Sequence, residues 1–246
     1  MRYMGGKFRQ SKAIAQILSQ NHSAEQLYIE PFCGALGSAE RVVPHFREAA
    51  LSDASAPVVN MWNAMLDGWV PPAFVDEETY AKYAARRHTP DAADPMTAWC
   101  GYAVSFGGKW FGGYARFGAA AGLDGIARSH QVQRAASLRK IEAIRMKVGR
   151  LDHGDYRDRD YPDGSVVYLD PPYANRTRAH HTAKGFDSDY FWSFARALSQ
   201  RCFVYVSEFA APPGWDTVHS WGDTVVRHNG GPSDGTCERL FTRKAA

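Results

Sequence analysis

Apolar and polar residues follow two different periods along the chain, and these periods predict strands in some segments and helices in others. Four apolar residues run without interruption from Val166 to Leu169, and a short run of β-branched and aromatic residues predicts a buried strand. Ile14, Ile17 and Leu18 recur instead at helical spacing. The chain therefore contains elements of both kinds.

Two strand-helix units follow one another near the N-terminus. The segment "QLYIEPFCGALGSAERVV" predicts a strand, a glycine-bearing loop and a helix. In "REAALSDASAPVVNMWNAM" a short strand ends at Asp53 and a helix begins after Pro57. Such units predict a parallel, doubly wound sheet whose ligand crevice lies beyond the carboxyl ends of the strands. Glu30, Asp53 and Asp170 all fall at predicted strand ends of this kind.

The alternation stops between residues 62 and 154. Helical stretches there, "DEETYAKYAARR" and "HQVQRAASLRKIEAIRMKVGR", flank the irregular "CGYAVSFGGKWFGGYARFGAAAGLDG". We interpret residues 62–154 as an inserted, mostly helical subdomain. The α/β pattern resumes with "VVYLDPPY", "DYFWSFARALSQ" and "CFVYVSEF", and the chain ends in a predicted hairpin, "TVVRHNGGPSDGTCERLFTR". Residues 1–61 and 155–246 would then form one domain.

Composition narrows the class of protein. With 246 residues, 45% of them hydrophobic and 22% charged, the chain has ordinary globular usage and suits one α/β domain with an insertion. Four cysteines without a C-x-x-C pair predict neither a zinc site nor a disulfide framework, and we expect no metal. The first residues include no apolar stretch typical of a signal peptide, and no window predicts a membrane span. A cytoplasmic protein is expected.

The net charge of +3 is too small to indicate a nucleic-acid partner, so the distribution of charge matters more. Basic residues exceed acidic ones from Lys109 to Arg159, and a second basic cluster, "NRTRAHHTAK", follows the strand at Val166. A solvated helix face carries similar charges, but the aromatic residues interleaved in "KWFGGYARF" favour nucleic acid. The candidate contacts are Lys109, Trp110, Tyr114, Arg116, Arg176, Arg178 and Lys184.

The tetrapeptide "DPPY" places chemistry directly after the strand Val166–Leu169. Asp170 supplies a carboxylate, Pro171 and Pro172 stiffen the loop because proline fixes its own backbone angle, and Tyr173 projects an aromatic ring. Taken alone, the tetrapeptide could also be a turn that the prolines make rigid.

Some other chemistries fail on inspection. "GYAVSFGGKW" lacks the spacing of a P-loop and has Trp110 where a Ser or Thr is needed, and no G-x-S-x-G elbow occurs. His180 and His181 are adjacent and therefore poorly placed to share one metal ion.

The order of four motifs resembles the Dam-type adenine-N6 DNA methyltransferases. These motifs are "YMGGK" from Tyr3, "EPFCGALGS" from Glu30, "SDASAPVVN" from Ser52 and "DPPY" from Asp170, and together they extend over nearly the whole chain. The resemblance implies a Rossmann-like S-adenosylmethionine-dependent methyltransferase sheet, a target-recognition insertion, double-stranded DNA as partner and a bacterial or phage source. The chain departs from the commoner family form at Leu36, which separates Ala35 from Gly37.

The resemblance also implies roles for individual residues. Asp53 lies 23 positions after Glu30, close to the spacing at which an acidic residue meets ribose hydroxyls in dinucleotide-binding folds. Glu30 could orient either the methionine amino group of the cofactor or the glycine loop. Arg227 and Asn229 in the final hairpin would face the substrate. The residues expected to bind S-adenosylmethionine are Tyr3, Lys7, Glu30, Phe32, Gly34, Gly37, Asp53, Asp155, Tyr156 and Asp170.

The chemistry of an exocyclic amine explains why such a motif is needed. The lone pair of the adenine amine is delocalised into the ring, so catalysis must orient the amine and favour the developing charge. Asp170 would accept one N–H and the Pro171 carbonyl the other. The base must first leave the duplex, and stacking on Tyr173, worth about 1–3 kcal/mol, would offset part of that cost.

Two alternatives remain open at this point. The carboxylate, prolines and aromatic ring suit other planar amines, in RNA, cytosine N4 or a protein amide, although the leading Asp and the motif order favour adenine. A catalytically silent DNA-binding regulator of the same fold is the other alternative. The sequence does not give the recognition site, the preference for methylation state, or the existence of a partner restriction endonuclease.

Overall fold

The computed structural model describes residues 1, 3, 5–89, 94–116, 122–173, 186–222 and 237–243. The helices in these ranges are α1 (Ser11–Asn21), α2 (Ala39–Val42), α3 (Ala56–Leu66), α4 (Glu77–Ala85), α5 (Pro95–Ala98), α6 (Gly122–Ile144) and α7 (Ser188–Leu198). The strands are β1 (Tyr28–Glu30), β2 (Ala49–Asp53), β3 (Asp152–His153), β4 (Val166–Leu169), β5 (Phe203–Glu208), β6 (Asp216–Trp221) and β7 (Glu238–Thr242).

The seven strands form one sheet in the order β3-β2-β1-β4-β5-β7-β6. Strands β3, β2, β1, β4 and β5 pair in parallel, and β7 runs antiparallel to both β5 and β6. The strand order reverses between β1 and β4, which is the position where a doubly wound sheet opens a ligand crevice. The fold is therefore mixed α/β and Rossmann-like, as the sequence predicts.

Strand β4 shows how the sheet is covered on both faces. Val166 and Tyr168 pack into one core with residues of α1, α2, α3 and α6. Val167 and Leu169 face the other core, which is formed mainly by α7 and the neighbouring strands. Because successive side chains of a strand point to opposite faces, an uninterrupted apolar run is what a strand buried on both sides requires.

Local sequence signals account for several helix starts. Asp76 accepts the backbone N–H of Thr79 at the start of α4, and Asp187 accepts that of Tyr190 at the start of α7. Each of these carboxylates satisfies a backbone donor that the first helical turn leaves unpaired. Pro57 lies in the first turn of α3, where the missing N–H costs nothing.

The segment 62–154 is mostly helical in its described parts, but it is not separate from the sheet. Helix α3 crosses residue 62, and Ile141 and Ile144 of α6 lie in the core that covers the sheet. Strand β3, which the sequence pattern does not predict, also belongs to this segment and pairs with β2. Two residues are too few to show a period. The division into a catalytic domain and a recognition insertion remains a prediction.

In the part of the chain that the structure describes, no helix combines the length and the apolar character needed to cross a bilayer.

Candidate active site at the carboxyl edge of the sheet

Three carboxylates meet at one edge of the sheet because their strands are neighbours. Glu30 ends β1, Asp53 ends β2, and Asp170 follows directly on β4. Strand β1 pairs with both β2 and β4, so the crevice at the reversal of strand order lies among these side chains. All three acidic residues lie at strand ends, as the sequence predicts.

The loop after β1 is anchored by side chains from three other parts of the fold. The indole N–H of Trp62 donates to the Gly34 carbonyl at 2.9 Å, and the buried Lys140 ammonium of α6 donates to the Ala35 carbonyl. Gly34 has a φ of 43°, and a Cβ there would lie 3.2 Å from the Tyr3 ring. Leu36, the residue absent from the commoner family form, is fully buried with a φ of 56°. The loop conformation is therefore held from several sides.

Asp53 holds the same loop through its carboxylate. One oxygen accepts the backbone N–H of Gly34 at 2.8 Å and the other accepts that of Ser55 at 2.8 Å. Burial raises the pKa of Asp53, and the two N–H donors oppose that rise. The structure thus shows Asp53 fixing the glycine loop; its predicted contact with ribose hydroxyls is an additional role that stays a prediction.

Glu30 is the most deeply buried acid of the edge, with 1% of its surface exposed. Its carboxylate accepts hydrogen bonds from the hydroxyls of Ser38, where the loop meets α2, and Tyr28, the latter at 2.7 Å. Burial raises the pKa of Glu30 to about 8 against the effect of these two donors. Of the two roles left open by the sequence, the described contacts fit orientation of the loop.

Asp170 has a different kind of partner, the ammonium of Lys7. The Lys7 Nζ atom lies 2.7 Å from Asp170 Oδ1, and the two side chains are 6% and 16% exposed. Burial raises the pKa of Asp170 to about 6, while Lys7 lowers it. Burial disfavours the Lys7 ammonium, but the carboxylates near it outweigh that effect and the pKa of Lys7 is raised. At neutral pH the pair is therefore ionised.

A second carboxylate reaches the same ammonium from β7. Glu238 Oε1 lies 3.4 Å from Lys7 Nζ and accepts the Tyr173 hydroxyl at 2.9 Å, while Gln10 donates to Oε2 at 3.1 Å. Because β7 is antiparallel to β5, its first residue lies at the edge where the parallel strands end. Sequence reasoning missed Glu238. The available signal was an acidic residue at the start of the predicted strand in "TCERLF".

Pro171, Pro172 and Tyr173 follow β4 and lie beside the ion pair of Lys7 and Asp170. Pro171 is buried and Pro172 half-buried. The Tyr173 ring packs edge-on against Phe209 at 5.0 Å between centroids, and the Lys7 ammonium lies 4.6 Å from its centre. Lys7 therefore occupies one face of the ring, and a planar base would have to stack on the other. The stacking role of Tyr173 stays a prediction.

Two aromatic residues predicted to bind the cofactor lie in the core on the face of the sheet that α7 covers. Phe32 packs against Tyr156 with ring centroids 5.2 Å apart, so the structure brings these two predicted cofactor residues together. Asp155 caps the short turn Tyr156–Asp158 and pairs with Arg157 at 2.7 Å, and hydrogen bonding from Arg157 lowers the pKa of Asp155. An apolar ring surface beside a carboxylate suits a nucleoside.

Tyr3 and Gly37 join the N-terminal segment to the glycine loop. The Tyr3 ring lies 5.0 Å from that of Tyr102 and covers the open side of Gly34. A Cβ on Gly37 would lie 3.0 Å from the backbone nitrogen of Lys7, so the loop and the lysine segment are in close contact at that point. The two segments are therefore packed directly against each other.

The predicted DNA contacts divide into exposed and packed residues. Lys109 and Arg116 are exposed, and Arg116 pairs with Glu77. Trp110 instead packs on Tyr102, and the Tyr114 hydroxyl donates to the Val75 carbonyl at 2.7 Å, so both aromatic residues also hold the insertion together. Arg176, Arg178, Lys184, Arg227 and Asn229 lie outside the described residues.

Within the described ranges, no group of three or more His, Cys, Asp or Glu side chains is arranged to hold a metal ion.

Sequence comparison identifies no relative: no family model and no curated protein matches the chain. Among solved structures, the rRNA methyltransferase aviRa from Streptomyces viridochromogenes is similar at 14% identity and a TM-score of 0.43, over 97% of this chain and 85% of its own. The yhhF protein from Escherichia coli is similar at 10% identity and a TM-score of 0.37, over 97% of this chain and 88% of its own. SMU.472, solved with SAH, is similar at 9% identity and a TM-score of 0.37, over 98% of this chain and 53% of its own. At these values the likenesses carry no argument about activity.

Proposed function

We propose that this protein transfers a methyl group from S-adenosylmethionine to the N6 atom of an adenine in double-stranded DNA. The observation that carries the proposal is the position of Asp170. Its carboxylate directly follows β4 at the crevice of the sheet, is backed by Pro171 and Pro172, and is paired with the ammonium of Lys7. The order of motifs supports the proposal independently.

The donor set of the edge fits S-adenosylmethionine. When bound, this cofactor supplies an electrophilic methyl group on a positively charged sulfur. Asp170, Glu238 and Lys7 together leave one net negative charge beside the crevice, which suits a cationic ligand. Phe32 and Tyr156 would contact its adenine ring. The glycine loop at Gly34 and Gly37, together with Tyr3, Lys7, Glu30, Asp53 and Asp155, would form the rest of its site.

Asp170 and Pro171 would orient the substrate amine. The Asp170 carboxylate accepts one N–H and the Pro171 carbonyl accepts the other, so the nitrogen lone pair points out of the base plane. The new N–C bond forms as the bond between the methyl group and sulfur breaks, which leaves the electron pair of that bond on a neutral sulfur, and one proton must leave the nitrogen. With a pKa of about 6, Asp170 can take that proton and release it to water at neutral pH. Tyr173 would support the flipped base.

The helical segment 62–154 would hold the DNA. Lys109 and Arg116 are exposed and suited to phosphate contacts, and Arg176, Arg178 and Lys184 follow the motif in sequence. Trp110 and Tyr114 would contribute through the partly buried rings that also form the insertion core. A short recognition sequence would be read from this segment.

Product analysis tests the proposal. The purified protein is incubated with tritiated S-adenosylmethionine and unmodified double-stranded DNA, with single-stranded RNA in parallel, and the labelled nucleosides are separated. We expect N6-methyladenine from DNA and none with the variant Asp170→Ala. Label on cytosine or RNA would establish the other amino-methyltransferase chemistry, and binding of cofactor and DNA without transfer would establish a silent regulator.

A further inference from the structure

Lys7 occupies one oxygen of the carboxylate that the substrate amine needs. Its Nζ atom lies 2.7 Å from Asp170 Oδ1, within hydrogen-bond distance. An amine that docks on Oδ1 must therefore compete with this ammonium. Because the lysine side chain is 6% exposed, it cannot simply return to bulk water when displaced, and an unpaired buried charge is costly.

Glu238 offers the displaced ammonium a second anion. Its Oε1 atom lies 3.4 Å from Lys7 Nζ, and its side chain is 13% exposed. Gln10 donates a hydrogen bond to one of its oxygens and Tyr173 to the other. A small movement of the lysine head would exchange Asp170 for Glu238. The Tyr173 ring lies under the ammonium at 4.6 Å and would stay in contact with it during that movement.

We propose that Glu238 is a positioning residue that retains Lys7 when the substrate amine takes its place on Asp170. The identity of the amine rests on the proposed function, whereas the sharing of Lys7 between two carboxylates does not. Without the charge of Glu238, Lys7 would stay bound to Asp170 and block the amine. A neutral glutamine keeps the oxygen that accepts from Tyr173, and Gln10 can turn its own amide to accept from the new NH2 group, so Glu238→Gln removes the attraction for Lys7 and keeps both hydrogen bonds.

The same arrangement predicts a change in the titration of Asp170. Glu238 raises the pKa of Asp170 by charge repulsion, so its removal lowers that pKa. The direction is clear because Lys7 would then serve Asp170 alone. The charged and titratable groups that face Asp170 from the packed elements are Lys7, Glu238, Tyr173, Tyr168 and Glu30.

The test compares Glu238→Gln and Glu238→Asp with wild type. The matched control is Glu25→Gln, which removes the same charge from an exposed residue that pairs with Arg47 outside the segment 62–154. Circular dichroism and urea unfolding check folding. We expect Glu238→Gln to lower kcat/KM for DNA by about 10- to 100-fold when the cofactor is saturating. Glu238→Asp should recover part of this loss, and Glu25→Gln should match wild type.

A second readout needs no substrate. The Asp170 carboxyl is titrated by ¹³C NMR in the free protein and assigned by its absence in Asp170→Asn. Its pKa should fall in Glu238→Gln. If this shift occurs in a protein that methylates no DNA, the proposed function fails but the sharing of Lys7 stands. An unchanged pKa together with unchanged kcat/KM would overturn the inference.

Discussion

The two sides of the carboxyl edge satisfy their buried acids in different ways. On the side of β1 and β2, Glu30 accepts from hydroxyls and Asp53 from backbone N–H groups. On the side of β4 and β7, Asp170 and Glu238 share the ammonium of Lys7. The donors to Glu30 and Asp53 are backbone groups and buried side chains within the packed fold. The donor to Asp170 and Glu238 is the ammonium at the end of a long, flexible side chain.

The kind of donor determines which acids can exchange hydrogen-bond partners. Backbone N–H groups at Gly34 and Ser55 cannot leave Asp53 without deforming the loop, so that carboxylate anchors structure. An ammonium on four methylenes can leave Asp170 and be replaced by another N–H donor. Substrate chemistry is therefore expected on the β4 side and cofactor placement on the β1 and β2 side.

The largest effect is expected from removing the shared cation. Lys7→Met leaves Asp170 and Glu238 near each other without a cation, which should lower the free energy of unfolding by about 3–5 kcal/mol at pH 7. Lys7 lowers the pKa of Asp170, so its removal raises that pKa further; stability then falls as the pH rises through it, and the loss should shrink at acidic pH. Urea unfolding at several pH values measures this. Equal stability of variant and wild type at pH 7 would contradict the account.

On the side of β1 and β2, we expect a substitution to weaken cofactor binding. Asp53→Ala leaves the N–H groups of Gly34 and Ser55 without acceptors, which should cost about 1–3 kcal/mol of stability and weaken binding of S-adenosylmethionine. Calorimetry measures both. Asp67→Ala, which removes an exposed partner of Arg150, is the control and should change little. Unaltered cofactor affinity in Asp53→Ala would remove the distinction between the two sides.

A third variant tests the contact between Gly37 of the glycine loop and the backbone of Lys7. Gly37→Ala places a Cβ 3.0 Å from the Lys7 backbone nitrogen and should destabilise the protein by about 1–3 kcal/mol while lowering activity. Gly149→Ala is matched to it, because no atom lies within 4 Å of the added Cβ. Thermal unfolding compares the two variants. If both behave alike, the loop and the lysine segment are not coupled through this contact.

The smallest effect concerns pH. Asp170 must be ionised to accept the amine, so kcat/KM should rise with pH through the pKa of about 6 and should be about tenfold lower one unit below it. Glu30 also titrates, with a pKa of about 8, but its carboxyl group contacts Ser38 at the end of the glycine loop. A pH–rate profile that is flat between pH 5 and 7 would contradict an ionised Asp170.

Local sequence signals predicted the frame of this site but not its partners. The apolar run of β4 and the motif at Asp170 are contiguous, so pattern reasoning places them correctly. Glu238 and Lys7 come from opposite ends of the chain and meet only because β7 runs antiparallel beside β5. Lys140 reaches the Ala35 carbonyl from α6 in the same way. Such contacts depend on tertiary packing, which no local period encodes.

The aromatic residues of the insertion show a second limit of sequence reasoning. Trp110 and Tyr114 in "KWFGGYARF" suggest a nucleic-acid surface, yet Trp110 packs against Gly101 and Tyr102, and Tyr114 bonds to Val75. Aromatic side chains serve cores and nucleic-acid surfaces equally well, so composition alone could not separate the two uses.

A single-turnover experiment measures methyl transfer on its own, apart from cofactor binding. Wild type, Asp170→Asn and Asp53→Asn are mixed with duplex DNA at saturating tritiated S-adenosylmethionine, and formation of N6-methyladenine is followed. We predict that Asp170→Asn is slower by about 10²–10³-fold even at saturation, while Asp53→Asn approaches the wild-type rate. An Asp170→Asn variant that transfers methyl groups as fast as wild type would contradict the assignment of the β4 side to substrate chemistry.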